Sequence, residues 1–148
     1  MSTMSIEMLT PGRVTELWPV LEPYFAEACN GNEIAKDELD AKDIYVLALT
    51  GLVAVFVGFE DGEPACVMGI QFNVTNGRKG ADVMALAGHG LMRFKAAYWH
   101  VILEWLRAND IEFLDAYAPE RLAKIYIHRF GFNKSCSYVR MTLQEIEK

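Results

Sequence analysis

Apolar residues between Thr10 and Phe25 recur at Val14, Leu17, Trp18, Leu21, Tyr24 and Phe25, the three-and-four spacing of one helix face. Thr10 suits the N-cap and Pro11 the first helical position. Pro19 and Pro23 each remove a helical donor, so a kinked or broken helix is expected there. A short alternating strand over 5–10 precedes this helix, "EACNGNE" at 27–33 reads as a turn, and a second helix is expected from about residue 36 to 49, closed by Gly51.

The period then changes. Two apolar, β-branched runs flank Asp61-Gly62, a hairpin signal, and "TNGRKG" at 75–80 makes a second turn, so residues 52–87 read as a three-stranded antiparallel meander. After Gly88-His89-Gly90, the positions Leu91, Phe94, Tyr98, Val101, Ile102 and Trp105 mark the clearest helix of the chain, ended by Asn109 and Asp110. A strand over 111–118, a helix from Pro119 to Gly131 and a last strand over 135–146 complete the order β-α-α-β-β-β-α-β-α-β. The strand, helix and strand of 84–118 form a βαβ crossover, which requires parallel pairing. The expected architecture is a single α+β domain over 1–148: a mixed, mostly antiparallel sheet with one parallel pair and helices on both faces.

Composition narrows the function classes. With 52% hydrophobic and 23% charged residues the chain is globular rather than disordered. A net charge of −6 argues against a nucleic-acid partner, which demands clustered Lys and Arg, and an acidic nucleic-acid mimic would need clustered carboxylates that are missing. Cys29, Cys66 and Cys136 form no Cys-x-x-Cys motif, which fits reduced thiols in a cytoplasmic setting. "MSTMSIEMLTPGR" lacks the pattern of a signal peptide, and no run is long enough for a membrane span. No His/Cys/carboxylate spacing suggests a metal site, and His89, His100 and His128 each read as surface residues, with His89 also able to donate to a phosphate.

Three stretches resemble the GCN5-related N-acetyltransferase (GNAT) superfamily. "VFVGFEDGEPACVMGIQF" is similar to the family's second and third strands around an acidic-Gly turn, "AGHG" resembles the tail of its pyrophosphate loop, and "RLAKIYIHRFGF" looks like its fourth helix through Ala123, Gly131 and Phe132. "TPGRVTELWPVLEPYF" suits its first helix. The departures are Ala85 where the family has Arg or Gln, Glu120 for Asn, and Ile127 in the tyrosine register with Tyr126 one residue earlier.

The resemblance implies acetyl-CoA as cofactor and acetyl transfer to an amine, on a small molecule or a protein, by direct attack. A helix N-terminus offers unpaired N–H groups and partial positive charge, and glycines admit a phosphate without a Cβ in the way. The expected cradle is therefore the amides of His89, Gly90, Leu91 and Met92 next to Gly88, with Arg93 and Lys95 able to reach an outer phosphate. Met84, Ala85 and Leu86 on the fourth strand would serve the thioester carbonyl, by resemblance. Transfer also needs a base and an acid. Tyr126 is the candidate acid and Asp82 the candidate base, with Glu33 or Glu38 acting through water as alternatives, while Gln71 accepts no proton. The contrasting expectation is a non-catalytic protein of the same fold, for example a phage virion or assembly protein, forming a homo-oligomer or a complex. Each residue also has a purely structural reading: a Gly-rich turn, a packed tyrosine, a hairpin-end aspartate.

Overall fold

The computed structural model describes residues 2–31, 40–116 and 120–134. It contains β1 (Met4–Met8), α1 (Pro11–Gly31), α2 (Ala41–Leu49), β2 (Val53–Glu60), β3 (Glu63–Thr75), β4 (Arg78–Gly88), α3 (Leu91–Ala108), β5 (Phe113–Ala116) and α4 (Glu120–Phe130). One five-stranded sheet runs in the order β1-β2-β3-β4-β5, antiparallel through β4 and parallel between β4 and β5. The mixed α+β architecture, with one parallel pair among the described residues, is that expected from the sequence. The proposed last strand, 135–146, lies outside the described residues.

Both faces of the sheet are covered, which is why β2 is buried from Val53 to Phe59 without polar interruption. Val55, Val57 and Val67 pack against Val14, Leu21 and Phe25 of α1 and Ile44 of α2. Ala54, Phe56, Met68 and Ile70 face the other way, against Trp99, Ile102 and Leu106 of α3 and Tyr126 and Phe130 of α4. The two hairpins turn at Asp61-Gly62 and Asn76-Gly77, where both central residues have positive φ.

Several expectations need correction. α1 is one helix of 21 residues despite Pro19 and Pro23, and it continues through the 27–31 stretch expected to turn. Both prolines lie on its exposed side, so the carbonyls four residues earlier that lose a donor face water. The opposite side holds the helix down: Leu21 and Phe25 are fully buried, each worth about 1.5–3 kcal/mol. α2 starts at Ala41, because Asp40 is an extended N-cap in a reciprocal capping box with Asp43. On α3 the core stripe is Phe94, Trp99, Ile102 and Leu106, whereas Val101, expected inside, is exposed. β5 begins at Phe113, two residues later than expected, although Glu112 already donates its N–H to Lys79 O at 2.9 Å.

One irregularity in β4 controls everything that follows. Gly69 pairs with Ala85 but Ile70 pairs with Val83, so Met84 is an extra residue in β4. Such a bulge reverses which face the following residues meet. Ala81 and Val83 accordingly pack toward α3, whereas Ala85 and Ala87 pack toward α1, with Met84 beside them.

Candidate active site

The bulge coincides with the end of the parallel ladder. β4 and β5 pair from Gly80–Phe113 to Val83–Ala116, and from Met84 to Gly88 β4 pairs only with β3 among the described residues. His89 donates its N–H to Ala65 O at 2.9 Å. Antiparallel ladders alternate inward and outward pairs, so Ala85 and Ala87 bond to β3 while Leu86 and Gly88 turn their N–H and C=O toward the β5 side. Among the described residues the β4 edge is thus unpaired at the carboxyl end of a parallel pair, where open sheets bind ligands. Of the residues expected to serve a carbonyl there, Leu86 presents its backbone outward, Ala85 points its 4%-exposed side chain into the core, and Met84 is the bulge itself.

The two glycines after this edge do different work. Gly88 has φ +114°, and a Cβ there would stand 2.3 Å from Ala65 O and 2.5 Å from Cys66 Cα, so its role is the close approach of β3. Gly90, φ +71°, is the N-cap of α3 with no side-chain cap, and its carbonyl accepts from Arg93 N at 3.0 Å and Phe94 N at 3.1 Å. This leaves the N–H groups of Gly90, Leu91 and Met92 without acceptors among the described residues. The cradle is therefore one residue shorter than expected, since the His89 amide is committed to β3. The His89 side chain is exposed, and the Leu91 side chain packs beside Phe94, Ala65 and Cys66. Arg93 lies next to Gly90 but is ion-paired with Glu60 at the end of β2, a partner that nothing in the sequence order signalled.

Asp82 lies two residues before the bulge. It pairs with Gln71 on β3 and with Asp115 on β5, in one row across the sheet. Ala81 and Val83 face α3, so Asp82 faces the α1 side, half-buried. Burial raises its carboxyl above the ordinary aspartate value, a hydrogen bond from Asn73 Nδ2 at 3.0 Å partly opposes this, and Asp115 adds to the rise. Asn73 and Asp115 were missed in the sequence because only strand register brings them to Asp82. Tyr126 is on the other side of the sheet, 5% exposed, its ring 5.2 Å from Phe132 and 5.8 Å from Phe130. Burial pushes its phenol pKa up, so the hydroxyl stays protonated. The structure therefore does not bring Tyr126 and Asp82 to the same face. Glu33 and Glu38 lie outside the described residues. No group of three or more metal-binding side chains occurs among the described residues.

No family model and no curated protein sequence matches the chain. Solved structures do. An aminoglycoside acetyltransferase from an uncultured soil metagenomic sample superposes with a TM-score of 0.70 at 16% identity, over 95% of this chain and 98% of that one. A GCN5-related N-acetyltransferase from Ralstonia eutropha JMP134 gives 0.65 at 14% identity, over 95% and 99%. The chain has the GNAT fold. A predicted acetyltransferase with acetyl-CoA from Clostridium acetobutylicum gives 0.63 at 11% identity, over 97% and 98%, so the likeness to GNAT structures spans nearly the whole of each chain. No helix among the described residues is long and apolar enough to cross a membrane.

Proposed function

We propose that the chain is an N-acetyltransferase that takes acetyl-CoA as donor and an amine, on a small molecule or a protein, as acceptor. One observation carries this reading: among the described residues the outer edge of β4 has no strand partner from the Met84 bulge onward, and that edge runs directly into the unpartnered amides of Gly90, Leu91 and Met92. The crystal structures it resembles include acetyltransferases, one of them with acetyl-CoA.

The residues present fit such a donor. Three orphan N–H groups at a helix N-terminus suit a pyrophosphate, Gly90 contributes no side chain to obstruct it, and Arg93 adds a cation one turn in. The outward N–H groups of Leu86 and Gly88 suit carbonyl groups laid along the strand edge. Acetyl-CoA, when bound, supplies the acetyl group as a thioester. Asp82 accepts the proton of the incoming ammonium, which frees the nitrogen lone pair for attack; its half-buried setting raises its proton affinity toward that task. Tyr126, buried on the α4 side of the sheet opposite Asp82, is the candidate donor to the departing thiolate, a role that requires the thioester to lie at the β4 edge between the two faces. In the cell we assign the protein to the cytoplasm, in keeping with its unpaired thiols.

The test is calorimetric titration with acetyl-CoA beside its dephospho and desulfo analogues, followed by an amine panel. Micromolar affinity, about 8 kcal/mol, that weakens when phosphates are removed supports the reading. No heat at millimolar ligand overturns it, in favour of a non-catalytic protein of this fold acting through a partner or a second copy.

A further inference from the structure

Asn73 and Asp82 lie one pair apart on the diagonal of the β3–β4 ladder, on the face turned toward α1. Asn73 Nδ2 donates to Asp82 Oδ2 at 3.0 Å, while Asn73 Oδ1 is buried with no hydrogen-bond partner among the described residues. A buried carbonyl oxygen without a donor is costly and calls for an explanation.

We propose that Asn73 is a positioning residue for Asp82, its amide turning to match the protonation state of the carboxyl group. The proposal rests on the reading of Asp82 as the base. While Asp82 is ionised it only accepts, and Asn73 offers Nδ2, leaving Oδ1 idle. Once Asp82 has taken the acceptor's proton, its carboxyl O–H is a donor. A half-turn of the Asn73 amide then presents Oδ1 to that O–H. The same side chain holds both ends of the proton transfer, and the orphaned oxygen is the partner kept for the protonated state. A lysine at this position would favour only the charged state.

The surroundings suit such a device. From β5, Asp115 is the charged group facing Asp82, and it favours the protonated form. β3 supplies only the neutral Gln71 and Asn73. Among the described residues, α1 and α2 cover this side of the sheet with mostly apolar side chains; the titratable ones in or against that cluster are Cys29, Tyr24, which donates to Pro64 O at 3.2 Å, and Tyr45, stacked on Trp18. Asn73 is thus the neighbour that offsets both burial and Asp115.

Carboxyl-carbon NMR titration of Asp82 in the full chain, in wild type and Asn73→Leu, tests this without requiring turnover. The expected midpoint rises by about half a unit to one unit in the variant, because the charge-assisted bond lost from the ionised form outweighs the neutral bond lost from the protonated form. The acid limb of the acetyl-transfer pH profile moves upward by the same amount, with the KM for acetyl-CoA unchanged. An unshifted midpoint overturns the positioning role whatever the activity. A shifted midpoint with no transfer to any amine overturns the base reading instead, and Asn73 is then only a structural partner. Should Asn73→Leu fail to fold, the wild-type protein decides: the Asn73 side-chain NH2 resonances must titrate with the Asp82 midpoint, and pH-independent resonances overturn the proposal.

Discussion

Arg93, the cation nearest the N-terminus of α3, is ion-paired with Glu60 at the end of β2. An anion arriving at the free amides of Gly90, Leu91 and Met92 therefore competes with Glu60 for that guanidinium. The pair is partly exposed, 51% for Arg93 and 25% for Glu60, so its strength is at most about 1 kcal/mol. Glu60→Gln is expected to tighten acetyl-CoA binding by about two- to fivefold at low salt, the gain shrinking as salt rises. Calorimetry on Glu60→Gln and on Glu60→Gln/Arg93→Ala checks it, since the second change must erase the gain.

Gly88 and Gly90 respond differently to a side chain. At Gly88 the added Cβ meets the backbone of β3, which cannot give way without breaking the ladder. Gly88→Ala is expected to cost about 3 kcal/mol or more and to depress Tm sharply. At Gly90 the nearest atom, 3.1 Å away, is the movable end of Arg93, so the cost of Gly90→Ala is chiefly the left-handed backbone, about 1 kcal/mol. Acetyl-CoA affinity in Gly90→Val should nonetheless fall at least about tenfold, because its side chain stands over the free amides. Thermal melts and calorimetry together separate the two roles.

Sequence patterning carried the element order because each element has a strong local cause: Asp-Gly and Asn-Gly turns, the apolar stripe of α3, Gly131 after α4. It misread α1, where the burial of Leu21 and Phe25 outweighs two solvent-facing prolines. The glycine loop was legible as a loop, but the division of labour inside it was not. Whether Gly88 is needed by β3 or by a phosphate depends on how closely Ala65 approaches, a contact 23 residues away in the chain. Asn73, Asp115 and Glu60 were invisible for the same reason. The Met84 bulge inserts one residue into the register, and "ADVMALAG" reads as smooth alternation with or without it.

Tyr126 gives a separable prediction for the acid. Its ring is fixed by Phe130 and Phe132, contacts that phenylalanine retains. Tyr126→Phe is therefore expected to change stability by less than about 1 kcal/mol while lowering kcat about a hundredfold with KM unaltered. Steady-state kinetics beside a denaturant melt measures both. An unchanged kcat assigns Tyr126 to packing alone and leaves protonation of the thiolate to solvent.

Asp82 links stability to pH with a definite sign. Burial, assisted by Asp115, holds its folded pKa above the ordinary aspartate value of about 3.9. Within the window above that value the folded chain keeps a proton that the unfolded chain has lost, so the contribution of Asp82 to stability declines as pH rises through it. Near neutral pH the carboxylate is therefore a net cost to folding. Asp82→Asn removes that cost and the repulsion from Asp115 while keeping a side chain able to pair with Asn73. The variant is expected to be more stable than the parent near neutral pH, by less than about 1 kcal/mol given the half-exposure of the site, and equal to it below about pH 4. It should bind acetyl-CoA normally and transfer acetyl poorly. A variant less stable than the parent near neutral pH would mean that the carboxylate is held for structure, and the base would then have to be sought elsewhere.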